Sequence, residues 1–427
     1  GGTMKMRSHW LYALVPLFFL AVFPAAAEQE KDDPLRNAAL SGDTAAQLKL
    51  ASEFFFGTDA RPRNPVLAVY WYRRAAEQGS AEGAYNLGVC YEKGWGVEHP
   101  SLVRAGRCFD EAAKGGLPEA RLRKALLMIS GIPDEAEEKE TLPGTPADPA
   151  GALRLLRDLA GTGYLPADRE LGRMILRDAA LRQSCGTEAR QSLTRAADSG
   201  DVESLLMLAA CYEDGVGGAG DAKEAVACYE RAVKLGSVDA KVPLAAAYEY
   251  GLGVAPDPVR AFRLVREAAE AGSARAQVRL GDYYLNGDQV AQSISEALAL
   301  YRKAFDAGYL SAAVKLGRCA ELGIGSDPEP VRAAELYGIA ARAGDADGQY
   351  AFGRCHLKGI GMEPDAAGAV FWFKTATAVG QLDAVRELGV CYLTGTGVEK
   401  DEAEGSRLIE AAAASGDPEA LVILSNN

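Results

Sequence analysis

The sequence predicts an all-α solenoid, a stack of about ten antiparallel helix hairpins. Three observations predict it. Glycines stand at Gly200, Gly236, Gly272, Gly308, Gly344, Gly380 and Gly416, each 36 residues after the last. Between them apolar side chains return at helical spacing rather than alternating, which excludes strands as the repeating element. Of the chain, 48% is hydrophobic but only 8% aromatic, with alanine and glycine supplying much of the rest. That balance suits close-packed helices and not a β-sandwich, which needs more β-branched and aromatic side chains.

The first element is a targeting segment over residues 1–27. Lys5 and Arg7 make a basic stub, Leu11 to Phe23 form an unbroken apolar run, and Ala25-Ala26-Ala27 supply the small residues of a cleavage site. Such a run has the length of a signal h-region and is short for a membrane span. Cleavage after Ala27 is expected, leaving a periplasmic or secreted protein without a stable membrane span.

Residues 28–163 carry the N-terminal repeats, with the step Gly79 to Gly115 showing the same period. They are interrupted at 131–149 by an insert rich in proline and acid, expected to be a solvated, mobile loop. Residues 164–200 keep Leu171, Gly172, Ala196 and Ala197 but lose the tyrosine and the paired glycines. They read either as a hinge or as a degenerate repeat. Regular repeats fill 201–416, and 417–427 is expected to be a lone first helix capping the stack.

One unit, Ser237 to Gly272, shows the logic. Ala240, Leu244, Ala245 and Tyr248 share one face of a first helix. Gly251 and Gly253 stop it, and Asp257-Pro258 restarts the chain, since proline is tolerated in a helix's first turn. Ala261, Leu264, Ala268 and Ala269 then make a second amphipathic helix. Neither helix buries its apolar face alone, so neighbouring units must stack.

These residues carry a resemblance. A first helix with A-x-x-x-L-G/A-x-x-Y, a loop such as Gly94-Trp95-Gly96-Val97 or Gly395-Thr396-Gly397-Val398, and a second helix ending A-A-x-x-G resemble the Sel1-like repeat, a relative of the tetratricopeptide repeat. The resemblance implies a right-handed superhelix whose first helices line a concave side. It places the exposed inner positions two before the core Leu or Phe, and two and five after it. In the late repeats these include Val314, Arg318 and Glu321, then Tyr350, Arg354 and Leu357, then Arg386, Val390 and Leu393. Arg318, Tyr350, Arg354, Leu357, Arg386 and Val390 are therefore the expected partner anchors, with earlier units offering Leu206, Ala210, Val242, Ala246 and Glu249. Arginine and tyrosine anchor interfaces well, and arginine forks onto a carboxylate such as a partner's acidic segment.

Chemistry has little foothold. A net charge of −13 and a pI near 5.0 argue against a nucleic-acid partner, which needs a concentrated basic surface. The three histidines, His9, His99 and His356, are not at metal-ligand spacing, and no cofactor or metal set is expected. Gly215 to Gly220 match G-x-G-x-x-G, but they follow a helix, where the dinucleotide fingerprint needs a strand. Cys90, Cys211, Cys319, Cys355 and Cys391 share one repeat position. Cys108 and Cys228 sit on second helices, so bridges Cys90–Cys108 and Cys211–Cys228 are possible within single hairpins. Cys319, Cys355 and Cys391 read instead as buried small hydrophobes. The sequence thus points to an exported scaffold that binds a protein partner and is not an enzyme. Two alternatives are a weak secreted hydrolase, which resemblance to cysteine-rich β-lactam-binding members implies, and a self-associating spacer.

Overall fold

The computed structural model describes residues 33–136 and 141–425; the leader expected over 1–27 lies outside the described residues. Those residues hold 22 helices and one short ribbon, and no helix among them is long and apolar enough to cross a membrane. They divide into two compact units at the Ser199–Gly200 boundary.

The first unit begins with α1 (Pro34–Leu40), α2 (Thr44–Phe56) and α3 (Pro65–Glu77), followed by α4 (Ala81–Lys93), α5 (Leu102–Lys114) and α6 (Pro118–Ser130). Strands β1 (Glu135–Ala136) and β2 (Thr141–Leu142) then pair antiparallel. Helices α7 (Pro149–Gly161), α8 (Leu165–Arg177) and α9 (Ala179–Asp198) close the unit. The segment 164–200 is thus a helix pair, with non-helical backbone at Cys185 inside α9. Where regular units place a tyrosine, this pair holds the buried Ile175. It also buries Asp168 completely, and that carboxylate accepts from Arg195 at 2.6 Å.

The expected insert is solvated over most of its described residues, but not at Ile132 and Glu135. Ile132 is buried and fills the space that Gly106 leaves open on α5, and it pairs with Thr145. The Glu135 carboxylate accepts from the Ser101 hydroxyl at 2.5 Å and from the Val103 amide at 3.1 Å. An acidic side chain is favoured there because the first turn of α5 has orphan N–H groups and the positive end of the helix dipole. Composition marked these acids as solvated; one of them instead caps a helix.

The second unit is the regular array. Its first helices are α10 (Val202–Asp214), α12 (Lys241–Tyr250), α14 (Ala274–Asn286), α16 (Ala312–Leu322), α18 (Ala346–Lys358) and α20 (Leu382–Thr394). Its second helices are α11 (Ala222–Lys234), α13 (Pro258–Glu270), α15 (Ile294–Asp306), α17 (Pro330–Arg342), α19 (Ala366–Ala378) and α21 (Glu402–Ala414), and α22 (Pro418–Ser425) ends it. Consecutive helices pack against each other as antiparallel hairpins.

Where the loop of a hairpin carries two glycines it uses them differently; the loop after α14 has Gln289 at the second position, with φ +59°. Gly359 ends α18 in the left-handed region (φ +69°), where its N–H reaches the Cys355 carbonyl. That conformation penalises any side chain with a Cβ. The chain then returns, the Asp365 amide donating to the His356 carbonyl at 2.8 Å, and the Asp365 carboxylate caps α19 through the Gly368 amide. The second glycine makes the stack. A Cβ on Gly361 would stand 2.0 Å from the carbonyl oxygen of Pro330, the first residue of the preceding second helix. Gly397 meets Ala366, Gly253 meets Ala222 and Gly96 meets Pro65 in the same way.

Inside each hairpin a small residue on the first helix receives a large one from the second. A Cβ on Gly353 would come within 2.6 Å of the Phe373 ring, and Gly281 and Gly317 stand likewise against Tyr301 and Tyr337. Phe373 and Tyr301 are fully buried. Cys319, Cys355 and Cys391 are buried beside them, as small hydrophobes would be.

Candidate protein-docking face

Successive first helices of the second unit lie side by side, and a repeated polar ladder joins them. Glu249 on α12 accepts from Arg279 of α14 at 2.5 Å and from the Tyr283 hydroxyl at 2.9 Å. Asp282 on α14 accepts from the Tyr301 hydroxyl at 2.7 Å and lies 3.0 Å from the Lys315 ammonium of α16. Glu321 on α16 accepts from the Tyr337 hydroxyl at 2.7 Å and from Arg354 of α18 at 3.1 Å. Each rung is one carboxylate, one phenol and one cation. The cation comes from the next first helix, and in two rungs the phenol comes from the second helix between. Shared hydrogen bonds of this kind fix the register of neighbouring repeats.

The phenols feel the ladder. Burial, and then the hydrogen bond to Glu249, push the Tyr283 hydroxyl up to about 12. Tyr248 reaches about 12 through burial and its bond to Glu230. Tyr301 and Tyr337 are displaced upward by burial first and then by Asp282 and Glu321. A phenol whose folded pKa exceeds its unfolded value of 10 is favoured in its neutral form by the fold. Its contribution to stability is complete below pH 10 and vanishes as pH rises through the folded value. Alkaline titration should therefore show the ladder phenols ionising only at about pH 12 or beyond, together with loss of helix. Absorbance at 295 nm read beside far-ultraviolet circular dichroism tests this; ladder tyrosines ionising near pH 10 with the helices intact would contradict it.

Between α12, α14 and α16 the first-helix face opens into a groove of about 770 Å³. Arg279, Lys315 and the ladder carboxylates form part of its wall. Arg275 and Arg318 also line it; both are exposed and neither has an ion pair among the described residues. Toward the glycine-loop ends of the helices the lining turns apolar, with Tyr250 66%, Leu322 57% and Ile294 39% exposed.

The six expected anchors fare differently. Arg318 is exposed and lines the groove. Arg354 is half-buried and held by Glu321. Tyr350, Leu357 and Val390 are partly buried against the core around Phe373 and Leu388. Arg386 corrects the expectation most: it is only 6% exposed, and its guanidinium lies 2.6 Å from Asp417 and 3.1 Å from both Asp383 and Glu419. Val242, expected on the open wall, is also buried. For Arg386 the reason is the helix that ends the unit, whose Asp417 and Glu419 close over the guanidinium. Trp95, in the loop after α4, is 41% exposed and its ring lies 5.4 Å from Phe55.

Sequence reading missed the ladder, and with it the unit 274–309 at the centre of the groove. A signal existed: the cation follows the carboxylate by 33 residues at Asp282–Lys315 and Glu321–Arg354, and by 30 at Glu249–Arg279. Of the possible bridges, Cys90 and Cys108 are thiols in this structure, and burial, with Cys108 adjacent, pushes the Cys90 thiol up to about 11. Cys211 and Cys228 are buried on the packed pair α10 and α11. Among the described residues no group of three or more His, Cys, Asp or Glu is placed to hold a metal.

Comparison with known proteins gives consistent results. The family model of the Sel1 repeat matches eight segments, 44–80, 81–117, 202–237, 243–273, 274–309, 310–345, 346–380 and 382–417. The chain is 29% identical over 215 residues to DAP3-binding cell death enhancer 1 of Mus musculus, an alignment covering 48% of this chain and 39% of that protein. It is 28% identical over 104 residues to the ERAD-associated E3 ubiquitin-protein ligase component HRD3B of Arabidopsis thaliana, 24% of this chain and 16% of that protein. The chain thus spans less than half the length of these relatives. Among solved structures, a protective antigen present in uropathogenic Escherichia coli strains, displaying an SLR fold, is 26% identical, with a TM-score of 0.59. That match covers 90% of this chain and 80% of that one.

Proposed function

The chain belongs to the Sel1-repeat family, and from that premise we propose that it is an extracytoplasmic scaffold that docks a protein partner on the first-helix face of its second unit. The groove between α12, α14 and α16 carries this reading, because it is where the repeat surface leaves both guanidiniums and large apolar side chains uncovered. Interfaces draw their energy from a few such anchors. The names of relatives, one binding DAP3 and one a component of a ligase assembly, support binding as the activity. Catalysis is disfavoured by the ladder itself: Glu249, Asp282 and Glu321 are each engaged by a phenol and a cation, so none stands ready as a general acid or base. The apolar run Leu11 to Phe23 and the likeness to a protective antigen support the extracytoplasmic address.

A photo-crosslinking side chain placed at Arg318, and separately at the exposed second-helix residue Arg302, tests both parts. Protein recovered from the envelope or secreted fraction should begin at Glu28 and crosslink to a defined partner from position 318 only. Equal labelling from 302, or none from either, would remove the face from consideration; an intact leader on cytoplasmic protein would remove the address.

A further inference from the structure

We infer that the groove between α12, α14 and α16 is a site for an extended acidic peptide segment with an apolar side chain beside its carboxylates. The inference rests on the docking-face reading and names the partner's chemistry.

Charge selects acid. The protein carries a net charge of −13, yet this groove is lined by four cations, Arg275, Arg279, Lys315 and Arg318, against three carboxylates, Glu249, Asp282 and Asp288. Two of the cations are consumed by the ladder, Arg279 on Glu249 and Lys315 on Asp282. The neutralised rungs leave the Arg275 and Arg318 guanidiniums with their donor forks open, and a carboxylate is the planar acceptor that matches such a fork. An anion is favoured there over a cation, because the two open guanidiniums outweigh the one carboxylate outside the ladder, Asp288.

The apolar shelf selects a peptide over a nucleic acid. Leu322 lies one helical turn beyond Arg318 on α16, about 6 Å along the axis. An extended chain advances about 6.6 Å over two residues, with both side chains on one face. A carboxylate held by Arg318 therefore sets the second residue along against Leu322, Tyr250 and Ile294, which are exposed together there. Arg275 lies at the opposite, N-terminal end of α14, placed for a second carboxylate further from the shelf. A polyphosphate backbone fits poorly, since its evenly spaced charges would run past Glu249, Asp282 and Asp288 and offer nothing to the shelf.

The test uses the full chain and a fluorescein-labelled dodecapeptide with two carboxylates four residues apart, so that both face the groove, and a leucine two residues beyond. Its Asn/Gln twin, a leucine-to-serine twin and a single-stranded oligonucleotide serve as comparison probes. Fluorescence anisotropy should show saturable binding that weakens with salt, at least about tenfold weaker for the Asn/Gln twin and for Arg275→Glu/Arg318→Glu. Leu322→Glu, an exposed change that leaves the core untouched, should weaken the acidic peptide and flatten its preference over the serine twin. Equal binding of the Asn/Gln twin, unchanged affinity in the double variant, or tighter binding of the oligonucleotide would overturn the inference. If acidic peptides fail while position 318 still crosslinks a partner, the docking face stands and its acidic ligand falls; loss of crosslinking as well removes both.

Discussion

Gly361→Ala is expected to lower the stability of the second unit by more than about 3 kcal/mol, from two contributions that a control separates. Gly361 has φ +70°, where an alanine carries a strain of roughly 1–2 kcal/mol. Its Cβ would also stand 2.0 Å from the Pro330 carbonyl oxygen and 2.7 Å from the Val331 Cα. Those are backbone atoms at the start of α17, so relief requires the loop after α18 to lift away from the preceding hairpin. Gly344 has φ +86° and nothing within 4 Å of where a Cβ would stand, so Gly344→Ala reports the strain alone. Denaturant titration should show a small loss for Gly344→Ala and a large one for Gly361→Ala. Hydrogen exchange should locate the extra loss at the junction of α17 with the loop after α18, because repeat arrays open at their interfaces. Equal losses in the two variants would mean that the second glycine serves the turn and not the stack.

That division of labour marks how far the sequence could be read. The 36-residue period, the helix pairs and the stop-and-restart loops were legible because they depend on local preferences that recur at fixed spacing. The contact of Gly361 with Pro330 spans 31 residues and leaves the same local mark as a turn glycine, so only the structure separates the two roles. The candidate face was legible in part. Arg318 was found because its position faces outward, whereas Arg386 stands one helix-to-helix contact deeper and is buried. Sequence position gives the side of a helix but not how closely the next helix approaches it. The ladder was missed for a related reason: Glu249, Asp282 and Glu321 occupy two different offsets from the core residue, and no single repeat position collects them. The docking of Glu135 on α5 depends on a return of 34 residues that composition cannot foresee.

Arg386→Met is expected to release α22 from the end of the second unit, a local loss of about 3–5 kcal/mol. Arg386 is buried, and although burial by itself would lower its pKa, Asp417, Glu419 and Asp383 outweigh that and raise it, so the guanidinium stays charged. Asp417 is 5% exposed and caps α22 through the Ala420 amide at 2.8 Å, so among the described residues Arg386 and that cap are what relieve its burial as an anion. Removing the cation leaves an uncompensated buried charge, which is worse than removing both groups. The double variant Arg386→Met/Asp417→Asn should therefore recover much of the loss, and hydrogen exchange across 418–425 should report both effects. Arg354→Met should lose less than Arg386→Met, because its side chain is 29% exposed and its partner Glu321 keeps the bond from the Tyr337 hydroxyl. If Arg386→Met leaves α22 protected, the ion pair is incidental to the end of the stack. The distinction governs how binding is tested: charge reversal at Arg386 would disturb folding and docking together, whereas reversal at Arg318, exposed and without an ion pair among the described residues, reads docking alone.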